Sequence, residues 1–421
     1  MSIRNETMRI TAALLLTMAT CFAANPEAQK VNAGASPRVF LLDAKQLQLT
    51  RRRIHQGDKN LSAAWARLER DAQKAMSAGP FSVVTKGVTP PSGDKHDYMS
   101  QAPYFWPNPK SPNGLPYISR DGERNPEINQ ITDHRSLDQM ESSVETLALA
   151  YYFKGDEAYA AKAAELLRAF FVNSATRMNP NLQYAQFIPG VNTGRGIGLI
   201  ETRGFTNVID AIGLLGGSRA LNEVDRRALE DWFGKFLQWM LESQNGRDEA
   251  ARKNNHGSYY DLQVASFALF VGKKEFAMQV LEDARQKRIA TQIEPDGRQP
   301  LELARTKAWS YSNMNLEGLM LLATLGERIG VDLWNFQTTD GRSIRKALDF
   351  LTPVALGERK WEYPEIGGVK PEALFPLMRR AAAIYRDKQY QVLMAKLPDV
   401  DLADRNRLLR ADFAATKHTL R

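Results

Sequence analysis

The chain has 421 residues, 43% hydrophobic and 25% charged, and its formal net charge is +8. This composition is that of an ordinary globular protein, and the length allows one large domain or two to three of average size. The only cysteine, Cys21, lies in the N-terminal segment, so the remainder excludes disulfides, thiolate metal sites and cysteine nucleophiles. Lysine and arginine are spread along the chain without a basic helix, which disfavours nucleic acid as a partner.

The N-terminus has the pattern of a secretory signal peptide. Arg4 and Arg9 precede the apolar run "ITAALLLTMATCFAA", which ends in small residues. This run is too short to span a membrane, so we expect cleavage and export to the periplasm. A lipoprotein acylated at Cys21 is less favoured, because Thr20 and Phe22 suit that processing poorly. The predicted organisation is a signal peptide over 1–24, a linker over 25–37 and a single domain over 38–421.

Pairs of helices dominate the remainder of the chain. Apolar residues recur at helical spacing in paired segments that are separated by short glycine-containing turns. The first segment of a pair is apolar nearly all round, whereas the second is amphipathic. The pairs lie at residues 147–171, 207–240, 262–286, 316–351 and 373–397.

A repeat of roughly 50 to 60 residues indicates stacked helical hairpins, either as an open solenoid or as a closed toroid. The apolar first helices fit an inner ring that is covered by an outer ring. We therefore predict an all-α domain, an (α/α)n toroid in the form of an incomplete barrel. A long loop rich in proline, glycine and aromatic residues, 82–118, precedes the hairpins and has room for a short β patch. Loops of this length inside a compact domain are usually functional.

Unusual polar and aromatic side chains cluster at the ends of these helices. His256 opens a helix after Asn254 and Asn255, which are natural N-cap residues, and Tyr311 opens a helix one hairpin later. Equivalent ends of successive inner helices face the same cleft of a toroid, so His256, Arg305 and Tyr311 are expected at one rim. Asn254 is also a candidate for substrate binding, and the other candidates are Tyr98, Tyr104, Trp106, His134, Arg135, Asn192, Arg203 and Trp309.

This set of side chains fits β-elimination from a polyuronate, which removes the proton at C5, α to a carboxylate, and expels the 4-oxygen. Asparagine, histidine or arginine can stabilise the charge that builds on the carboxylate. A tyrosine beside a cationic arginine has a lowered pKa and can act as acid or base. Tyr104, Trp106 and Trp309 can stack on sugar faces. Without residues 1–24 the formal charge is about +7, which suits an acidic polysaccharide and suits general solubility equally.

Three stretches carry a resemblance to a known family. "KNNHGSYY" resembles the Asn-Asn-His-Ser-Tyr motif of the alginate lyase family, whose members are α/α toroids, and "ELARTKAWSYSNMN" resembles that family's Arg-then-Tyr segment. "HDYMSQAPYFWPNP" with "GLPYISRDGERNP" is similar to the N-terminal signature of a wider branch of alginate-lyase-like polysaccharide lyases. The similarity covers roughly residues 80–325.

The resemblance implies roles for particular residues. Tyr311 would be the catalytic acid and base, and His256 a second base or a neutraliser of the carboxylate. Asn255 and Arg305 would assist the carboxylate, and no metal or other cofactor would be needed. Asn192, in the loop "NTGRGIG", is a further candidate for the carboxylate, although a simple turn explains it equally well.

One departure from the family pattern concerns the substrate. Gly257 stands where alginate lyases usually carry serine directly after the histidine, and relatives of this branch act on alginate or on glucuronan. We expect this difference at Gly257 to affect which polyuronate is cleaved more than it affects the reaction. Tyr259 and Tyr260 are expected in the core, and Glu201 with Arg203 could form a buried ion pair.

Two other functions remain open from the sequence. An α/α-toroid glycoside hydrolase acting on uronides would need paired carboxylic acids in the cleft. Candidates are Asp97, Asp133, Glu201 and Glu302. A non-catalytic polyuronate-binding protein could use the same scaffold, because a fold does not prove an activity.

Overall fold

The structure is a computed structural model, and it describes residues 36–386 and 388–410. The predicted signal peptide and nearly all of the predicted linker therefore lie outside the described residues. Within residues 36–410, Asp387 apart, the chain forms one compact unit. No helix in these ranges is both long enough and apolar enough to cross a membrane.

The described ranges contain α-helices and short strands, numbered here in chain order. The helices are α1 (Ala44–His55), α2 (Ser62–Met76), α3 (Asp133–Lys154), α4 (Glu157–Leu167), α5 (Phe205–Leu214), α6 (Glu223–Glu242), α7 (Gln244–Ala250), α8 (Asn255–Phe270), α9 (Lys274–Ala284), α10 (Ala290–Gln292), α11 (Pro300–Leu303), α12 (Ala308–Ile329), α13 (Ile344–Ala355), α14 (Phe375–Tyr385), α15 (Lys388–Lys396) and α16 (Asn406–Leu409). The strands are β1 (Met99–Gln101), β2 (Phe105–Trp106), β3 (Ile118–Ser119) and β4 (Tyr184–Phe187).

Each predicted hairpin is present, and its turn follows from local chemistry. α3 ends at Gly155, whose φ of 79° lies in the left-handed region that glycine adopts without strain. Asp156 then caps α4, because its side chain accepts a hydrogen bond from the backbone N–H of Ala158 at 3.1 Å. α12 ends in the same way at Gly330, with a φ of 88°.

The first helices of the hairpins form an inner layer. α3 packs on α5, α5 on α8 and α8 on α12, whereas α4, α6, α9 and α13 cover them from outside. α8 is the clearest inner helix, since every one of its residues except His256 is buried. The prediction of an all-α toroid of helical hairpins is confirmed.

The long loop before α3 carries the few strands. β1 pairs in parallel with β4, and β2 pairs in antiparallel with β3. The β2–β3 ribbon places Tyr104 and Phe105 beside the N-terminal ends of the inner helices. The predicted aromatic-rich loop with a short β patch is therefore present.

Asp210 on α5 fastens the beginning of the described chain. Its buried carboxylate accepts hydrogen bonds from the backbone N–H groups of Phe40, Leu41 and Leu42 at 2.6, 3.0 and 2.7 Å. These three donors have no helix or sheet partners of their own. Asp210 thus holds the segment against the inner layer, together with Arg38, which donates to the carbonyls of Leu269 and Phe270.

Candidate active site

His256 is the one residue of α8 with appreciable exposure, and its side chain is 14% exposed. Its Nδ1 lies 2.6 Å from Oε1 of Glu249, whose carboxylate is itself 1% exposed. An ionised carboxylate can only accept, so it fixes the proton of the neutral imidazole on Nδ1 and leaves the lone pair on Nε2. Glu249 comes from α7, across a turn, and no pattern in the sequence pointed to it.

Asn255 does not reach the cleft. Its side chain is fully buried, and Nδ2 donates to both carboxylate oxygens of Glu302, at 3.0 and 2.8 Å. The backbone N–H of Asn255 donates to the same carboxylate at 2.6 Å. The role of Asn255 at a substrate carboxylate stays a prediction, and its amide nitrogen is engaged by Glu302 in this structure. These hydrogen bonds fix the start of α8 to α11.

Asn254 occupies the N-cap position of α8, but its side chain makes no capping hydrogen bond. Its Oδ1 is buried without a partner, while its backbone carbonyl accepts from Gln292. Glu302 caps the helix instead, from a different part of the chain. The interpretation of both asparagines as side-chain caps is corrected accordingly.

Arg305 and Tyr311 lie face to face. The guanidinium carbon of Arg305 is 3.9 Å from the ring centroid of Tyr311. Asp121 holds Arg305 through Nε and Nη2, with a shortest distance of 2.6 Å, and also accepts from the backbone N–H of Thr306 at 3.0 Å. Arg305 and Thr306 together lower the pKa of Asp121 to about 2. Asp121 belongs to the long loop, so this ion pair joins the loop to the rim.

The phenol of Tyr311 donates a hydrogen bond to the hydroxyl of Tyr104 at 3.0 Å. Burial raises the pKa of Tyr311 and the bond to Tyr104 raises it further, whereas Arg305 lowers it by less. The expected net lowering of the Tyr311 pKa is therefore wrong, because burial and the hydrogen bond to Tyr104 outweigh the effect of Arg305. A neutral phenol is suited to donate a proton.

The structure brings His256, Arg305 and Tyr311 to one rim. α8 and α12 pack together, and His256 and Tyr311 lie in their first turns. Glu302 interacts electrostatically with both Arg305 and His256, and so links the Arg305–Tyr311 pair to His256. Tyr104 completes the group from the loop.

Two of the aromatic candidates are unavailable to a ligand. Tyr98 is fully buried and donates to Glu201 at 2.7 Å, and Trp309 is 1% exposed with Nε1 bonded to the carbonyl of Lys370. This burial does not favour their predicted roles in substrate binding, which stay predictions. Trp106 is half-buried, and the guanidinium of Arg120 covers its ring at 5.2 Å.

The remaining candidates lie at or near the surface. His134 is half-buried and interacts electrostatically with Glu201, while Arg135 and Arg203 are exposed. Asn192 closes a tight turn, since its Oδ1 accepts from the backbone N–H of Ile188 at 3.1 Å. These four residues stay predictions as substrate contacts.

Other expectations concern packing. Tyr259 and Tyr260 are buried, in line with a place in the core. Glu201 accepts from Tyr98 and Ser100, while Arg203 interacts electrostatically with Glu141, so Glu201 and Arg203 do not form the ion pair that was considered. Within the described ranges, no group of three or more His, Cys, Asp or Glu side chains has a metal-binding arrangement.

A helical toroid whose rim carries a carboxylate-bound histidine and an arginine-stacked tyrosine defines the class of polysaccharide lyases. Comparison with known proteins agrees with this assignment. The alginate lyase family profile matches residues 82–361, and the chain belongs to this family. The protein is accordingly a polysaccharide lyase.

Solved structures support the same conclusion. An alginate lyase from Bacteroides ovatus shares 39% sequence identity, with coverage of 89% of this chain and 99% of that one, and a TM-score of 0.85. An alginate lyase from Sphingomonas species A1 has the same fold at 17% identity, with coverage of 88% and 94% and a TM-score of 0.54. No curated protein matches the chain.

Proposed function

We propose that the protein cleaves alginate by β-elimination, with glucuronan as the second candidate substrate. The observation that carries this proposal is the pairing of His256 with Glu249 on an inner helix that is otherwise entirely buried. Nδ1 of His256 is bonded to Glu249, whereas no hydrogen bond to Nε2 is found among the described residues, so Nε2 is available to a ligand. The names of the similar lyases favour alginate.

His256 acts as the base. Its Nε2 takes the proton from C5 of the uronate, and Glu249 stabilises the imidazolium that results. The electron pair of the C5–H bond becomes the C4–C5 double bond while the C4–O4 bond breaks. Tyr311 acts as the acid and gives its proton to O4, which remains on the departing sugar as a hydroxyl group.

The products are a 4,5-unsaturated uronate at one new end and a reducing sugar at the other. One proton has moved from C5 to O4, and the enzyme is restored when the proton on His256 returns to Tyr311 through solvent. The raised pKa of Tyr311 supports this division, since a phenol that stays neutral is a better acid than base. Arg305 stabilises the phenolate that forms briefly.

A hydrolase mechanism has less support, because the acids that it would need are already engaged. Asp97 accepts from Asn179 and Asn181, and Asp133 forms a fully buried pair with Lys86 at 3.0 Å. Glu201 and Glu302 are held by the hydrogen bonds described above. None of these four is left as a free general acid facing a sugar.

Ultraviolet absorbance separates the possibilities. The protein is incubated with polymannuronate, polyguluronate, mixed alginate and glucuronan, and the conjugated 4,5-unsaturated product is followed. We expect a rise with at least one substrate, and its loss in Tyr311→Phe with binding largely retained. New reducing ends without absorbance would indicate hydrolysis, and normal turnover by Tyr311→Phe would remove tyrosine from the mechanism.

We also propose that the protein works in the periplasm after removal of residues 1–24. The signal-like segment supports this location, as does a reaction on an extracellular polysaccharide. Cell fractionation with N-terminal sequencing of the mature protein tests it, and a chain that keeps Met1 in the cytoplasm would contradict it.

A further inference from the structure

Arg195 belongs to the glycine-rich loop "NTGRGIG", to which none of the steps above assigns a task. It precedes a 3-10 helix, Gly196–Thr202, and its backbone N–H donates to the carbonyl of Ala185 at 3.1 Å. A Cβ at Gly196 would lie 3.1 Å from the backbone nitrogen of Glu249. The loop therefore packs tightly between β4 and α7, and the Arg195 side chain starts from a rigid backbone.

The guanidinium of Arg195 is fixed on two sides and incompletely bonded. Its carbon lies 5.0 Å from the ring centroid of Phe105, and Nη2 donates to Oε1 of Gln186 at 2.9 Å. Nε is buried without a hydrogen-bond partner. A buried N–H of a charged group without a partner is unfavourable, and a catalytic role or a bound water or ion accounts for such a group in native proteins.

The residue that holds Arg195 is itself in an unusual conformation. Gln186 is 6% exposed and has a φ of 48°, in the left-handed region that few residues other than glycine adopt. Its backbone N–H donates to Ser100 at 2.8 Å, and its side chain also hydrogen-bonds Glu201. Backbone strain of this kind occurs mainly where a side chain must be placed for function.

Arg195 lies between the His256–Glu249 pair and the Tyr104–Tyr311 pair of the proposed catalytic group. On one side it interacts electrostatically with Glu249, the partner of His256. On the other side its neighbour Phe105 directly follows Tyr104, whose hydroxyl binds Tyr311. Burial lowers the pKa of Arg195 to about 10, so the side chain is still cationic at neutral pH.

Two other candidates for the uronate carboxylate are held by neighbouring carboxylates. Asn255 is buried and bound to Glu302, and Arg305 is held by Asp121 against Tyr311. Given the proposed lyase activity, we infer that Arg195 binds and neutralises the carboxylate of the uronate from which His256 removes the C5 proton. Charge that accumulates on that carboxylate as the C–H bond breaks is then met by a fixed guanidinium.

Kinetics of Arg195→Gln and Arg195→Lys on alginate test this role, with Arg252→Gln as the matched control. Arg252 is an exposed cation that also interacts electrostatically with Arg195. We expect kcat of Arg195→Gln to fall by about 10²–10³-fold with a smaller change in KM, because the contact strengthens in the transition state. Arg195→Lys should retain more activity because it keeps the charge, and Arg252→Gln should keep kcat within about threefold.

Arg195→Ala provides a second measurement, since added guanidinium ion should restore part of its kcat in a saturable manner. Thermal unfolding of each variant checks that it is folded. The inference is overturned if folded Arg195→Gln keeps kcat within about threefold. It is also overturned if Arg195→Lys loses as much as Arg195→Gln and guanidinium restores nothing. A wild-type protein that is inactive on all four polyuronates would instead refute the proposed function.

Discussion

Replacement of Gly257 by serine restores the residue that alginate lyases usually carry after the histidine, and the structure predicts that it destabilises this protein. The Cα of Gly257 faces Arg288, which is 3% exposed. A Cβ there would collide with the carbonyl oxygen of Arg252 and lie 2.8 Å from the guanidinium carbon of Arg288. Real Cβ atoms do not tolerate such distances, so the neighbours would have to move.

The neighbours have little freedom to do so. Arg288 is paired with Asp261 at 2.7 and 2.8 Å and donates to the carbonyls of Ala250 and Arg252. Breaking a buried pair costs about 3–5 kcal/mol, and a crowded core that relaxes loses about 1–3 kcal/mol. Serine regains only about 0.5 kcal/mol of helix propensity over glycine. We expect a net loss of about 2–4 kcal/mol in the free energy of unfolding.

Denaturant unfolding measures this loss, and Gly234→Ser on α6 is the matched control. Gly234 is also inside a helix, but a Cβ there would meet nothing closer than 4.0 Å. The control should be as stable as the wild type or slightly more stable. Equal stability of the Gly257 and Gly234 variants would refute the packing argument.

The same variant tests the expectation that this position governs the substrate. Because Gly257 faces Arg288 and not the cleft, relative rates on polymannuronate, polyguluronate and glucuronan should be unchanged per folded molecule. A changed order of preference in a stable Gly257→Ser protein would show that the position acts on the substrate after all.

Three further predictions concern single carboxylates. In Asp121→Asn the charge of Arg305 is no longer offset, so the pKa of Tyr311 should fall. The alkaline limb of the pH–kcat profile should then move to lower pH. An alkaline limb that does not move would contradict this coupling. Glu249→Gln keeps a hydrogen-bond acceptor for His256 but removes the negative charge. We expect kcat to fall by about 10²-fold in steady-state assays. An unchanged kcat would exclude the His256–Glu249 pair from catalysis. Asp210→Ala leaves three backbone N–H groups unpaired and should lower the free energy of unfolding by about 2–4 kcal/mol. Proteases should then cleave the chain early, before residue 44. Wild-type stability would refute the role of Asp210 in holding this segment.

The sequence was sufficient for the fold because its signals are local and repeated. Each hairpin carries an apolar helix, a glycine or a capping residue and an amphipathic helix, and the repetition leaves few arrangements open. The rim could be predicted for the same reason, since His256 and Tyr311 both open inner helices. Residues that only the folded chain brings together were missed, above all Glu249 and Asp121.

The sequence did not reveal which side chains are buried or what surrounds them. Tyr98, Trp309 and Asn255 have the composition of a sugar site, but the sequence does not show which face of a helix or loop is covered. The pKa of Tyr311 was misjudged because burial and the hydrogen bond to Tyr104, which the sequence does not reveal, raise it more than Arg305 lowers it. Gly257 was interpreted as a matter of substrate, whereas the space that it leaves is occupied by Arg288.

The acids around this cleft share a property that bears on how the lyase works. Glu302 holds the start of α8 through Asn255, Asp121 holds Arg305, and Glu365 accepts from the backbone of Trp309 and Ser310 at the start of α12. Each carboxylate thus accepts hydrogen bonds at or just before the start of a helix that carries a proposed catalytic residue. A negative charge at this place also complements the helix N-terminus. In the proposed mechanism, positioning is done by the acids, and reaction with an anionic sugar is left to histidine, tyrosine and arginine. This division keeps free negative charge away from a substrate that is itself negative.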